Sequence, residues 1–195
     1  PSSHIVNPGD LTWEVPENGA PFQFTKNGDI LTISQVVSEL HPQARDKWRV
    51  FLSRLESSPN LVGYKLVITS TYRTVQRQTE LYATNPKAAK PGISPHNLGI
   101  ALDVNIFPQQ PGGDELTMDT SKAKWIASGV VDIAQSSGFR WGGSFTKYDP
   151  VHFDPDVDKN ATFKNLQDYA IRENKQVKDV TKENIYNNVD LVYNT

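Results

Sequence analysis

Ser94-Pro95-His96-Asn97-Leu98-Gly99-Ile100-Ala101-Leu102-Asp103-Val104-Asn105-Ile106-Phe107 changes character midway, and its second half decides the fold. From Gly99 onward apolar and small or polar residues alternate, the two-residue period of a strand with unlike faces. Ile100, Leu102, Val104 and Ile106 are expected to point into a core, and Ala101, Asp103 and Asn105 to the opposite side. A carboxylate is thereby held on a firm strand, with an imidazole at the end of the loop that feeds it.

Working outward, Leu66-Val67-Ile68 after Gly63 is a short, largely β-branched run, the mark of a buried strand, and places Ser70 to Arg73 at its exit. Apolar residues at helical spacing, Val36, Val37 and Leu40, then Trp48, Phe51, Leu52 and Leu55, predict two helical pieces broken near His41-Pro42. A helix is expected over 76–83, a loop over 86–95 and another over 108–119. One helix should span 121–136, with Trp125, Ile126, Val130 and Ile133 inward and Gly138 ending it. Short strands are expected over 139–141 and 151–153 around the turn Gly142-Gly143, and a last helix over 163–172. Pro1, Pro8, Pro16 and Pro21 with Gly9, Gly19 and Gly28 read as an irregular arm over 1–30, and the polar composition after Glu173 as an extended tail over 173–195. Residues 31–172 form the single domain that a chain of 195 residues accommodates.

Composition removes whole classes of function. A net charge of -2 does not supply the basic face that nucleic-acid binding needs. No apolar run approaches the roughly 18 residues of a membrane span. The absence of cysteine excludes disulfides, Cys-type zinc sites, iron–sulfur clusters and thiol catalysis, so any metal must be held by His, Asp or Glu. The chain opens at Pro1 without a basic, apolar signal segment, as in a processed product, an excised fragment or a protein that never used one.

The four histidines divide two and two. His4 in the arm and His41 before a proline read as solvent-facing or locally bonded. His96 and His152 keep different company: Asp103 follows His96 by seven residues, and His152 stands in Asp149-Pro150-Val151-His152-Phe153, where alternation buries Val151 and Phe153 and turns His152 to the opposite face. Two imidazoles and one carboxylate with a fourth position open to water are a known ligand set for catalytic zinc. His96, Asp103 and His152 are accordingly the expected ligands. A second carboxylate outside the metal shell must take a proton from water, and Asp149, tethered to His152 through Pro150, is placed for it. Arg73, at the exit of the first strand, is the expected oxyanion donor, ahead of Arg77 one helical turn later. Asp154, Asp156, Asp158 and Asn160 have calcium-loop spacing, but Lys159 replaces the required glycine and Asn165 the final Glu; they read as an acidic turn.

These residues resemble a known family. Ser94 to Asp103 fits Ser-x-His-x-x-Gly-x-Ala-x-Asp and Asp149 to His152 fits Asp-x-x-His, as in the VanY-like D-alanyl-D-alanine carboxypeptidases and L-alanyl-D-glutamate endopeptidases of the LAS group of zinc peptidases. Tyr72-Arg73-Thr74 with Gln78 is similar to the family's cleft residues, and Gly138-Phe139-Arg140-Trp141-Gly142-Gly143 looks most like the endopeptidase branch, which includes endolysins. The resemblance runs over roughly residues 30 to 155. It implies an α+β fold, a small antiparallel sheet with helices mainly on one face. It also implies zinc, Asp149 as base, and Arg73, Ser94 and Gln78 at the substrate. The expected substrate is the peptidoglycan stem peptide, cut next to a D-residue at the bacterial cell wall by a monomer. L-alanyl-D-glutamate cleavage comes first, with D-alanyl-D-alanine carboxypeptidase activity or a silent wall-binding module as alternatives.

Overall fold

The spacing of Trp48, Phe51, Leu52 and Leu55 becomes the buried face of helix α2 (Arg45–Glu56) in the computed structural model, which describes residues 7–85 and 94–194. Before it, α1 (Ile33–Ser38) starts at a capping box in which Thr32 accepts from Gln35 N and the Gln35 side chain accepts from Thr32 N. The break between the two helices falls at Pro42–Ala44, a short 3-10 turn, because proline supplies no N–H to continue α1.

Six strands form one sheet in the order β2-β1-β3-β4-β6-β5. They are β1 (Gln23–Lys26), β2 (Asp29–Leu31), β3 (Tyr64–Ser70), β4 (Leu102–Pro108), β5 (Phe139–Trp141) and β6 (His152–Pro155). The class is α+β, as expected, with one departure from a purely antiparallel sheet: β1 runs parallel to β3. β1 and all of β2 but Leu31 lie within the segment 1–30 read as an irregular arm. Its proline and glycine density hid a tight hairpin, whose turn places Asn27 and Gly28 at positive φ. Upstream of it the arm is strapped down: Trp13 stacks on Tyr64 with ring centroids 5.2 Å apart, and Lys124 Nζ donates to Gly9 O and Thr12 O.

On β4, Leu102, Val104 and Ile106 are buried in the core while Asp103 and Asn105 face the other way. Helices α2, α4 (Lys122–Ala127) and α5 (Val130–Ser136) cover the core face, where Phe51 meets Trp48, Phe139 and Phe153 with centroids 4.8 to 5.5 Å apart. Truncating Phe51 to alanine at this junction would cost about 3–5 kcal/mol. Helices α4 and α5 stand where a single helix was expected. The chain breaks at Ser128-Gly129, with Gly129 at φ 88°, and the Ser128 hydroxyl accepts from Val130 N.

α3 (Val75–Thr84) and α6 (Lys159–Arg172) match their expected helices, α6 beginning earlier because Asp158 caps it. The loop over 86–95 falls largely outside the described residues, as does His4. The region after Glu173 corrects its reading as an extended tail. It forms a 3-10 turn, then α7 (Lys182–Asn188), and buries Val180, Ile185 and Val189. With Leu191 these are four scattered apolar residues in a polar segment that show no period, yet each finds the core once the chain doubles back to bridge Val157 with Tyr193. His41 is correspondingly not solvent-facing: it is buried, its Nδ1 accepting from Gln43 N and its Nε2–H donating to Val189 O at 2.8 Å.

Candidate metal centre

On the face of the sheet opposite α2, register sets the centre: Asp103 on β4 stands directly opposite His152 on β6. His96 arrives from the 3-10 turn Pro95–Leu98, which exists because Ser94 caps it, accepting from His96 N, while Asn97 reaches back to Ser94 N. Asn97 Nδ2 also donates to Arg73 O, and Arg73 N donates to His96 O, so the turn is stitched to the exit of β3. The result is that His96, Asp103 and His152 offer ligand atoms that all lie within 4.8 Å of one another.

Each imidazole is oriented from behind. His96 Nδ1 lies 2.7 Å from Thr71 O, which can only accept, so the neutral ring carries its proton there and turns the Nε2 lone pair to Asp103 Oδ1, 3.2 Å away. His152 Nε2 lies 2.6 Å from Asp154 Oδ2 and leaves Nδ1 facing the same Asp103 oxygen at 3.1 Å. With both rings neutral, two lone pairs and a carboxylate oxygen aimed at one point repel, and either a proton or a metal cation among them relieves it. Burial disfavours a charged His152 ring, but the hydrogen bonds to Asp103 and Asp154 outweigh it and push its pKa up to about 9. Burial alone would raise the Asp103 carboxyl; the bonds from His152 and His96 reverse this and hold it well below the usual carboxylate range. The local field calls for positive charge, and the donor set of two imidazoles and a carboxylate fits zinc.

Asp149 is half-buried beside this centre, outside the ligand set. Burial, with the charge of Asp103 second, pushes its pKa above the ordinary carboxyl value, against the attraction of His152, His96 and Arg73. Its loop is brought in close by Gly142: a Cβ there would meet Asp149 O at 2.0 Å, so no other residue lets the two backbones touch. Trp141 is core, with Nε1 donating to Pro150 O at 2.7 Å to pin the same loop.

Arg73 feels the charges of both Asp103 and Asp149, and burial lowers its pKa. Its guanidinium is aimed by Gln78 Oε1 at 2.9 Å and Ser70 Oγ at 2.8 Å. Gln78 is buried and stands behind Arg73, and the buried Ser94 hydroxyl caps the His96 turn, so each supports a neighbour of the centre. The sequence reading passed over Asp154, Arg140 and Thr71. Asp154, taken as part of an acidic turn, is two residues from His152 on one strand, and that period alone places it on the same face. Nothing local announces Thr71, whose contribution is a backbone carbonyl.

Comparison with known proteins follows the same line. Residues 87–155, which include His96, Asp103, Asp149 and His152, match a family model described as D-alanyl-D-alanine carboxypeptidase. A curated relative, the peptidoglycan L-alanyl-D-glutamate endopeptidase CwlK of Bacillus subtilis (strain 168), is 29% identical over 127 residues, covering 58% of this chain and 71% of the relative. Among solved structures, the L-Ala D-Glu endopeptidase ChiX of Serratia marcescens aligns over 63% of this chain and 84% of its own, at 20% identity and a TM-score of 0.43. The vancomycin resistance D,D-dipeptidase VanXYg aligns over 72% and 57%, at 18% identity and a TM-score of 0.40. The chain is similar to the VanY-like peptidases that its motifs resemble, and among the described residues no helix is long and apolar enough to cross a membrane.

Proposed function

We propose that this VanY-like chain is a zinc-dependent peptidase of bacterial peptidoglycan, cutting the stem peptide between L-alanine and D-glutamate. The observation that carries the reading is the convergence of the three ligand atoms with a separate carboxylate, Asp149, at their side. His96 Nε2, His152 Nδ1 and one Asp103 oxygen would hold the ion. Once bound, zinc supplies a water of lowered pKa and polarises the scissile carbonyl.

The protein's own residues do the remainder. Asp149, ionised but destabilised by burial and by Asp103, takes the proton of the attacking water and returns it to the leaving amine. Arg73, held rigid by Gln78 and Ser70, donates to the oxyanion as the carbonyl becomes tetrahedral. A groove of about 800 Å³ runs from Thr71, Tyr72 and Arg73 along β3 to the β1–β2 turn at Asn27, offering room for an extended peptide. Lys26, Arg73 and Arg77 line it with no carboxylate among the lining residues, which suits a substrate bearing carboxylates.

The L-alanyl-D-glutamate bond is favoured by the curated relative and by the Gly138 to Gly143 stretch. The description of the matching family model favours a second reading, release of terminal D-alanine. Mass spectrometry of fragments from defined muropeptides separates them. New D-glutamate amino termini are expected, and release of terminal D-alanine alone overturns the endopeptidase assignment. Stoichiometric zinc and peptidoglycan binding without any new termini would establish a silent wall-binding module.

A further inference from the structure

Behind His152, on the side away from Asp103, lies an ion pair that the proposed chemistry does not touch. Asp154 is 1% exposed, and both its oxygens are engaged: Oδ1 accepts from Arg140 Nε at 2.7 Å, and Oδ2 accepts from Arg140 Nη2 at 2.7 Å and from His152 Nε2 at 2.6 Å. Arg140 and Asp154 are register partners across β5 and β6, and His152 lies two residues before Asp154 on the same strand face. Asp103, His152, Asp154 and Arg140 thus form a continuous line across three neighbouring strands. The Arg140 guanidinium also sits 4.9 Å over the Phe145 ring, and that ring lies against His152 with centroids 5.7 Å apart.

We propose that Arg140 and Asp154 are positioning residues for the metal centre, holding His152 as the tautomer and rotamer whose Nδ1 is offered to zinc. Buried at 1% exposure and with three donors on its two oxygens, Asp154 is placed neither to ligate metal nor to act as a base. What it does is demand a proton on Nε2, which leaves Nδ1 unprotonated. The two-pronged contact from Arg140 fixes the plane of the carboxylate and compensates its buried charge, so the orientation passes to the imidazole ring without adding net charge near the ion. Asn in place of Asp154 presents either an acceptor or an N–H to Nε2. The second choice stabilises the wrong tautomer, with a proton on the ligating nitrogen.

The inference rests on the proposed metal centre, and it is tested by zinc affinity rather than by turnover. In competition with a chromophoric chelator, Asp154→Asn is expected to weaken zinc binding roughly 10–100-fold and Arg140→Lys by less, because a point charge cannot reproduce the two-pronged contact. In the zinc-loaded wild type, nitrogen-15 NMR of His152 is expected to show Nε2 protonated and Nδ1 coordinated. Wild-type zinc affinity in Asp154→Asn, or a proton on Nδ1 of the loaded wild type, would reduce the pair to a buried structural ion pair. If Asp154→Asn fails to fold, Arg140→Lys and the NMR measurement decide. Absence of zinc binding by the wild type would instead defeat the peptidase reading itself, a separate outcome.

Discussion

His96 and His152 face the same oxygen of Asp103 from nearly equal distances, 3.2 and 3.1 Å, yet they are held by opposite means. His96 rides on a capped 3-10 turn and is anchored through a backbone carbonyl, Thr71 O. His152 rides on a strand and is anchored through a side chain, Asp154, that is itself anchored by Arg140. A backbone anchor is as firm as the fold around it and is indifferent to any one substitution at its own position. A carboxylate anchor is set by one residue and is lost with it. One imidazole is therefore governed by local chain geometry and the other by side-chain chemistry.

Asp103 is common to both, so its removal is expected to have the largest effect: Asp103→Ala should abolish stoichiometric zinc binding, measured by metal analysis after gel filtration, with hydrolysis lost alongside. Asp149→Ala should leave zinc in place and lower the rate by a factor of roughly a hundred or more; unchanged turnover would remove Asp149 from the mechanism. The pH profile sharpens the same point. A base must be ionised, and burial raises the pKa of Asp149, so activity should be present above that raised pKa. It should fall as pH drops through it, with an acid limb lying higher than an ordinary carboxyl would give. An acid limb at or below the usual carboxyl range would contradict this environment.

Smaller effects distinguish the two anchors. A Cβ on Gly99 would meet the Tyr186 hydroxyl at 2.1 Å, and Tyr186 is the residue by which α7 backs the His96 turn. Gly99→Ala, at φ 71°, should cost more than about 1 kcal/mol in thermal melts and loosen zinc through His96 alone, with the His152 tautomer unchanged by NMR. Ser94→Ala should be mildest, about 1 kcal/mol of stability from the lost cap with KM unchanged. A large rise in KM would place Ser94 in contact with the substrate as well.

The candidate metal ligands and Asp149 were legible as a group because each stands in a short segment whose period is itself informative. Asp103 lies on an alternating strand, and His152 lies between two buried apolar residues. The hairpin at 23–31 and the C-terminal clasp were not legible, because β2 is three residues long and the clasp buries single apolar residues with no period. Each is stable only against partners far along the chain: β1 against β3, and Val189 O against His41.

Residue type and spacing, properties of a few consecutive residues, by themselves determined the strand bearing Asp103, the paired helices before it, and a His, Asp and His set suited to zinc. Tertiary structure alone decided that Arg73 is aimed by Gln78, that His96 leans on Thr71 O, and that Asp154 with Arg140 stands behind His152. The physical reason is that these are pairings between segments whose register and approach are set by packing, and neither segment carries the identity of its partner.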